Sequence, residues 1–383
     1  MKPMKKYFAL LILTLFIILT FLSKEKNYDQ DTIYIGSSIP KNGTIKEFGV
    51  AVELGTNAYF SYVNKHNLLQ DKKIKLVTYE DNYEPQITLA NTKVLIANNN
   101  IFALYGFVGT ATAKNILPLF SDTNIPFISP FTGASFLRDG YYKNIINLRS
   151  SYDQEIEEHI KYLHEVKGFT KIAVFYQNDE YGEEGYIGVI KSIEKYNLSL
   201  VAEGSYKRNT LSIRHAFYEI QNANPEAIIM IGANKPNTLF IKKAKQNENF
   251  KDTLFCNISF GAASAMVKEL DGNTKNILFS QIVPHYNNVN IPIIEEYHKI
   301  LKEYDPSYEP GFISLEAFLN AKAIVTAIQN TQGPLTRSRF IKEFKQLPAD
   351  TLKGLDIKYE NEQLLNKVYL FKYENNTFKK ITQ

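Results

Sequence analysis

The sequence contains no tryptophan, a single cysteine (Cys256) and only six histidines in 383 residues. One cysteine excludes an internal disulfide and a cysteine-rich metal site, although a chain of this size needs no such staple. The histidines, at positions 66, 159, 164, 215, 285 and 298, are scattered. His159 and His164 are five residues apart, the wrong step for one helix face, so no zinc-ligand pair emerges. Neither a Gly-x-Ser-x-Gly elbow nor a phosphate-binding P-loop occurs. Charge of one sign is also missing. Forty-four basic residues face forty acidic ones, for a net charge of +4. Lys72 and Lys73 follow Asp71, and Lys242, Lys243 and Lys245 precede Glu248. No basic stripe remains for a nucleic-acid partner.

What is present is the composition of a folded chain, 44% apolar and 22% charged. Lys2, Lys5 and Lys6 precede an uninterrupted apolar run from Tyr7 to Leu22, which turns polar at Ser23-Lys24. This reads as an export segment, residues 1–23, acting as a signal peptide or a signal anchor. Its exit lacks a clear pair of small residues, so cleavage is left open, and no cysteine follows for a lipid anchor. The expected location is periplasmic, tethered to the inner membrane if the segment stays on. The 355 or so remaining residues exceed what one hydrophobic core usually serves, so two domains are expected.

From Asp31 onward, short β-branched runs alternate with helical patterns. Ile33–Ile35, Ile74–Tyr79, Ile101–Tyr105 and Pro126–Ser129 read as strands. Helices are expected around Ala51–Tyr62, from Gln86, and over Thr112–Asp122. A break at Asn147-Leu148-Arg149-Ser150-Ser151 is followed by Ser151 and Gln154 at capping-box spacing. A second series begins there, with strands at Ile172–Tyr176, Leu200–Glu203, Ala227–Ile231, Leu254–Cys256 and Ile277–Val283. Its helices centre on Ile190, Phe217, Phe240 and Met266, and further helices lie around Tyr297 and Phe318. The chain closes with a hairpin turning at Asn375-Asn376. The acidic stretch from Asp179 to Gly185 is read as a helix entry rather than a cation loop, because the helix dipole favours acids there. The fold class is therefore α/β, with two doubly wound, mainly parallel sheets in tandem and ligand loops at the carboxyl ends of strands.

Two such loops suit an anion. Gly106-Phe-Val-Gly109-Thr110-Ala-Thr112 follows one strand, and Pro130-Phe-Thr132-Gly133-Ala-Ser135 follows the next. Both offer glycine-freed backbone N–H groups and hydroxyls. Thr110, Thr112 and Thr132 could instead simply cap helices. Two equivalent loops after sequential strands favour a binding site.

The runs Tyr105-Gly-Phe-Val-Gly-Thr-Ala-Thr-Ala113, Ile125-Pro-Phe-Ile-Ser-Pro-Phe-Thr-Gly-Ala-Ser-Phe-Leu-Arg138 and Asn147-Leu-Arg-Ser-Ser-Tyr-Asp-Gln-Glu155 complete the picture. Together with Ile172–Gly182, Arg208-Asn-Thr210, Asn224–Gly232 and Ser314-Leu-Glu316, they make the chain resemble the type I periplasmic binding proteins of the leucine/isoleucine/valine-binding class. The resemblance spans Ile33 to Tyr373. It implies two lobes joined by a three-segment hinge crossing near Asn147, Gln281 and Thr351. Lobe one would hold residues 31–147 and 282–350, and lobe two residues 148–281 and 351–383. It further implies that Gly109, Thr110, Thr132 and Gly133 hold a ligand carboxylate, while Phe48 and Tyr181 close on the ligand. Ser259 falls where the branched-chain receptors carry an ammonium-binding acid, and Ala233 where they carry an aromatic. A buried ammonium without a counter-charge would cost several kcal/mol. Either Asp179 or another acid substitutes, or the solute lacks that group.

The function implied is that of a non-enzymatic solute receptor for an ABC-type importer. It would take a small polar or carboxylate-bearing metabolite, an amino acid or a related compound. It would act as a monomer, without cofactor, docking on a membrane permease. A receptor signalling to a chemoreceptor or sensor kinase is the first alternative. A cytoplasmic sensor of the same fold and an α/β enzyme are the others.

Overall fold

Two kinds of strand are written into the sequence, and they take different places. Ile101–Tyr105 (β3) and Ala227–Ile231 (β8) are apolar throughout and buried throughout, as strands covered by helices on both faces must be. Lys73–Glu80 (β2) alternates lysine with apolar residues and lies at a sheet edge. The computed structural model describes residues 25–381 other than 71, 99 and 122, so the expected export segment lies outside the described residues.

The first sheet contains Thr32–Ile39 (β1), β2, β3, Phe127–Ile128 (β4) and Ile145–Ile146 (β5), all parallel, in the order β2-β1-β3-β4-β5. Around it lie helices Lys46–Lys65 (α1), Pro85–Ala97 (α2) and Thr110–Ile116 (α3). The second sheet is built from Lys171–Gln177 (β6), Ser199–Tyr206 (β7), β8, Leu254–Asn257 (β9) and Ile277–Gln281 (β10). The hairpin Tyr369–Glu374 (β11) and Thr377–Lys380 (β12) adds antiparallel to its end, giving β12-β11-β10-β9-β8-β6-β7. Its helices are Tyr152–Lys161 (α4), Glu180–Tyr196 (α5), Arg214–Ala223 (α6), Asn234–Ala244 (α7) and Ala263–Leu270 (α8). The chain then returns to the first sheet with Pro292–Tyr304 (α9), Phe312–Asn330 (α10) and Arg337–Lys345 (α11), where α9 and α10 pack on α1. α10 is long and apolar enough to cross a membrane by composition, but it is a buried core helix.

The expected α/β architecture of two mainly parallel sheets is thus present, with three local differences. The helix expected over Thr112–Asp122 begins at Thr110 and tightens into a 3-10 turn at Leu117–Phe120, where Pro118 has no N–H to give to an α-helical bond. The two-residue β5 and helix α11 were not expected. In α11 only Phe340 and Phe344 are buried, too short a stripe to announce a helix, although Thr336 caps it by accepting from the Arg339 N–H.

Local chemistry fixes the entry to the second sheet. Ser151 caps α4 by accepting from the Gln154 N–H at 3.2 Å, and Gln154 returns the favour to the Ser151 N–H at 2.9 Å. Ser151→Ala should lower unfolding free energy by about 1 kcal/mol in denaturant titration. Nearby, the segments running between the sheets meet: the Leu364 and Leu365 N–H groups donate to the carbonyls of Asn147 and Leu148 at 3.1 and 2.7 Å.

Candidate functional site

In each sheet the strand order reverses beside the first strand, between β1 and β3 and between β6 and β8. Ligands of doubly wound sheets bind outside the carboxyl ends of strands at this switch point. All the sequence-selected residues lie there: Phe48 after β1, Gly109 and Thr110 after β3, Thr132 and Gly133 after β4, Tyr181 after β6 and Ser259 after β9. The two sets of strand ends face one another.

The wall on the side of the first sheet is centred on two hydroxyls. Thr110 Oγ1 and Thr132 Oγ1 lie 2.7 Å apart, both completely buried. Gly109, just before α3, has φ +108°, and a Cβ there would meet the Tyr83 ring at 2.3 Å. Gly133 is pressed in the same way against Tyr152, whose N–H donates to the Gly133 carbonyl at 2.9 Å. Thr112, by contrast, turns back and donates to the carbonyls of Val108 and Gly109. Of the hydroxyls in the first loop, only that of Thr110 faces the opposite wall, where the Tyr152 hydroxyl lies 3.4 Å away.

The opposing wall is aromatic. Phe260 reaches across from the β9 loop, with ring centroids 5.1 Å from Phe48, 6.1 Å from Tyr83 and 4.7 Å from Tyr181. Phe48 also packs edge-on against Phe131. Tyr181 is fully buried, and its hydroxyl has no hydrogen-bond partner among the described residues. Burial pushes its pKa well above the ordinary tyrosine value, so it is held as a donor. Gln177 links the walls: its amide donates to the Tyr83 hydroxyl at 3.2 Å and to Asp179 at 2.7 Å, and it accepts from Tyr206 at 3.0 Å. Tyr206 in turn accepts from the Ala233 N–H at 2.9 Å. A ring from β7 thus stands next to Ala233. At the rim, Arg208 bridges Glu84 of the first sheet and Asp179 of the second, 3.3 Å from each.

Asp179 is the cap of α5, accepting from the N–H groups of Tyr181 and Gly182, as the helix-entry reading of the acidic stretch requires. No group of three or more metal-binding side chains occurs among the described residues.

Ser259 differs most from its expected part. Its N–H and hydroxyl both donate to Glu155 at 2.8 Å, and its hydroxyl accepts from Arg149. An acid does stand at this place, but on α4 and behind the serine. Ser280 donates to Glu155 as well, at 2.6 Å. Arg149 lies 3.9 Å from Glu155 and, on its other side, 3.5 Å from Glu316 of α10. The three side chains are essentially removed from water, with one positive charge for two acids. Burial raises the Glu316 pKa to about 7, Arg149 opposing and Glu155 adding to the rise. Burial works against the Arg149 charge too, yet Glu316 and Glu155 outweigh it and leave its pKa above the ordinary value.

Sequence reasoning missed Tyr83, Tyr152, Phe260 and the Arg149–Glu155–Glu316 cluster. Tyr83 and Asn82 carry positive φ values of 60° and 52° just ahead of Pro85, and Asp81 holds Tyr83 there by accepting its N–H at 2.9 Å. That strained tyrosine is a mark of a functional loop, visible only in three dimensions.

Comparison with known proteins bears on the family and the fold. A family model described as periplasmic binding protein matches residues 32–377. No curated protein matches. Among solved structures, a possible leucine/isoleucine/valine-binding protein from Rhodopirellula baltica SH 1 is 28% identical, with a TM-score of 0.86 over 94% of this chain and 98% of its own. A branched-chain amino acid transporter substrate binding protein from Streptococcus pneumoniae, in complex with isoleucine, is 15% identical, with a TM-score of 0.78 over 91% of this chain and 98% of its own. An ABC transporter solute binding protein from R. palustris, in complex with benzoate, is also 15% identical with a TM-score of 0.78, over 91% and 95% of the chains. These relatives are solute-binding proteins and not enzymes. The chain belongs to the periplasmic binding protein family of the type I fold.

Proposed function

We propose that this chain is an extracytoplasmic receptor of an ABC-type importer and that its solute is a small carboxylate without an α-ammonium group. The observation that carries this reading is the buried pair Thr110 and Thr132, two hydroxyls 2.7 Å apart with the Tyr152 hydroxyl 3.4 Å from Thr110, beside a Tyr181 whose hydroxyl has no partner among the described residues. The hydroxyls of Thr110, Thr132 and Tyr152, converging in a site removed from water, suit an acceptor-rich head group, because hydrogen bonds to an ionised acceptor are the strong ones. Isoleucine and benzoate, the ligands of two similar structures, share a carboxylate and differ in the ammonium. Here the acid behind Ser259 already accepts three hydrogen bonds and faces Arg149, so it has little left to offer an ammonium. Benzoate-like acids fit this pattern better than amino acids.

The cycle would be docking on the Thr110–Thr132 wall, closure by Tyr181 and Phe260, and presentation of the closed shape to a permease. Titration calorimetry against amino acids, aliphatic and aromatic carboxylates and inorganic anions tests it. Thr110→Ala and Thr132→Ala should each weaken carboxylate binding by about 1–3 kcal/mol. Unchanged affinity in both variants would remove the seat.

A further inference from the structure

A cavity of about 570 Å³ lies between α1 and the start of α10 on one side and α8 on the other, bordered by Ser259 but by none of Gly109, Thr110, Thr132, Gly133, Phe48 or Tyr181. Its volume is that of a small-molecule site. One side is formed by Glu47 and Ala51 of α1 and the segment leading to Phe312, the other by the α8 end and Gln281. A molecule bound there would touch both lobes.

Besides the Ser264 hydroxyl, two polar groups in its lining lack partners among the described residues. Gln281, 3% exposed, has an amide nitrogen that donates to nothing, and Glu47 has a carboxylate oxygen shut off from water that accepts nothing. Buried polar atoms are ordinarily satisfied, so two at one cavity call for a ligand group. Glu47 sets the chemistry, since a carboxylate oxygen left without a donor favours a positively charged one. The cation in the lining, Lys268, is already paired with Glu309, and burial raises the nearby Glu269 carboxyl above its ordinary range, with Lys235 and Lys242 opposing and Glu47 adding to the rise. The lining also carries aromatic rings, Tyr286, Phe312 and Phe378 among them, against which a flat or aliphatic body would pack.

We propose that this cavity is a second binding compartment, accepting a primary amine on an aromatic or apolar body, with the ammonium on Glu47 and the body against the Phe312 side. The compartment stands independently of the carboxylate seat. Titration calorimetry of the full-length chain with 2-phenylethylamine tests it, with 3-phenylpropionate as the probe of the seat. Saturable binding of the amine is expected, weakened at least about tenfold by Glu47→Gln and abolished by Ala51→Leu, which fills the cavity from the same helix one turn on. The Thr110→Ala and Thr132→Ala variants should bind the amine as the wild type does. Failure of 3-phenylpropionate alone would fault the carboxylate reading and leave this one standing. Absence of saturable amine binding, wild-type binding by both cavity variants, or loss of amine binding in the threonine variants would each overturn it.

Discussion

Gly133→Ala will hold the lobes apart and cost about a hundredfold in solute affinity. A Cβ at this position would stand 2.5 Å from both the Tyr152 nitrogen and a carbon of its ring. A ring can turn aside. A backbone nitrogen that begins α4 and is bonded to the Gly133 carbonyl cannot move without the helix. Overpacking of this kind costs about 1–3 kcal/mol. Because apparent affinity scales with the population of the binding-competent form, about 2.7 kcal/mol placed on closure becomes a factor of about a hundred. Titration calorimetry reads the loss, and small-angle scattering reads the separation as a larger radius of gyration. Wild-type affinity with a wild-type radius would contradict the contact.

The second expectation concerns the cluster beneath Ser259. Arg149→Met should lower unfolding free energy by about 3–5 kcal/mol, because it leaves Glu155 and Glu316 buried together with no cation. In the wild-type protein the same cluster makes stability fall as pH rises. Glu316 has a folded pKa of about 7 against an ordinary 4.5, so the folded form holds a proton that the unfolded form has lost. Its contribution is complete below about pH 4.5 and disappears as pH climbs through about 7, at about 1.4 kcal/mol per unit of displacement. Asp81, raised by burial to about 6, pulls in the same direction over a lower window. Glu316→Gln separates the two: denaturant titrations from pH 5 to 8 should show a smaller decline than the wild type. Identical pH profiles would mean that Glu316 is not the group taking the proton.

Much of this could be read before any coordinates. The apolar runs at 101–105 and 227–231 give buried parallel strands because nothing else satisfies their length and composition. The Ser151 and Asp179 caps are local, made within three residues of themselves. The Thr110 and Thr132 loops stand out because glycine and hydroxyl residues directly follow buried strands. What stayed hidden depends on partners far apart in the chain. Ser259 looked like a neutral substitute for an acid, but the acid, Glu155, lies 104 residues away on another element. Phe260 is one phenylalanine among 25, and nothing in its neighbours says that it meets Phe48, Tyr83 and Tyr181. Tyr83 owes its place to a backbone conformation that sequence pattern does not encode.

The charge imbalance of one arginine between two acids reaches beyond stability. Arg149 lies just beyond Asn147, where the chain leaves the first sheet, while Glu316 rides on a helix packed against that sheet. If the lobes separate, water reaches Glu316 and its affinity for the proton falls back toward that of a free carboxyl. Capture of a solute would then draw a proton from the medium. The receptor would load most tightly on the acid side of neutrality, and its heat of binding would change with the ionisation enthalpy of the buffer.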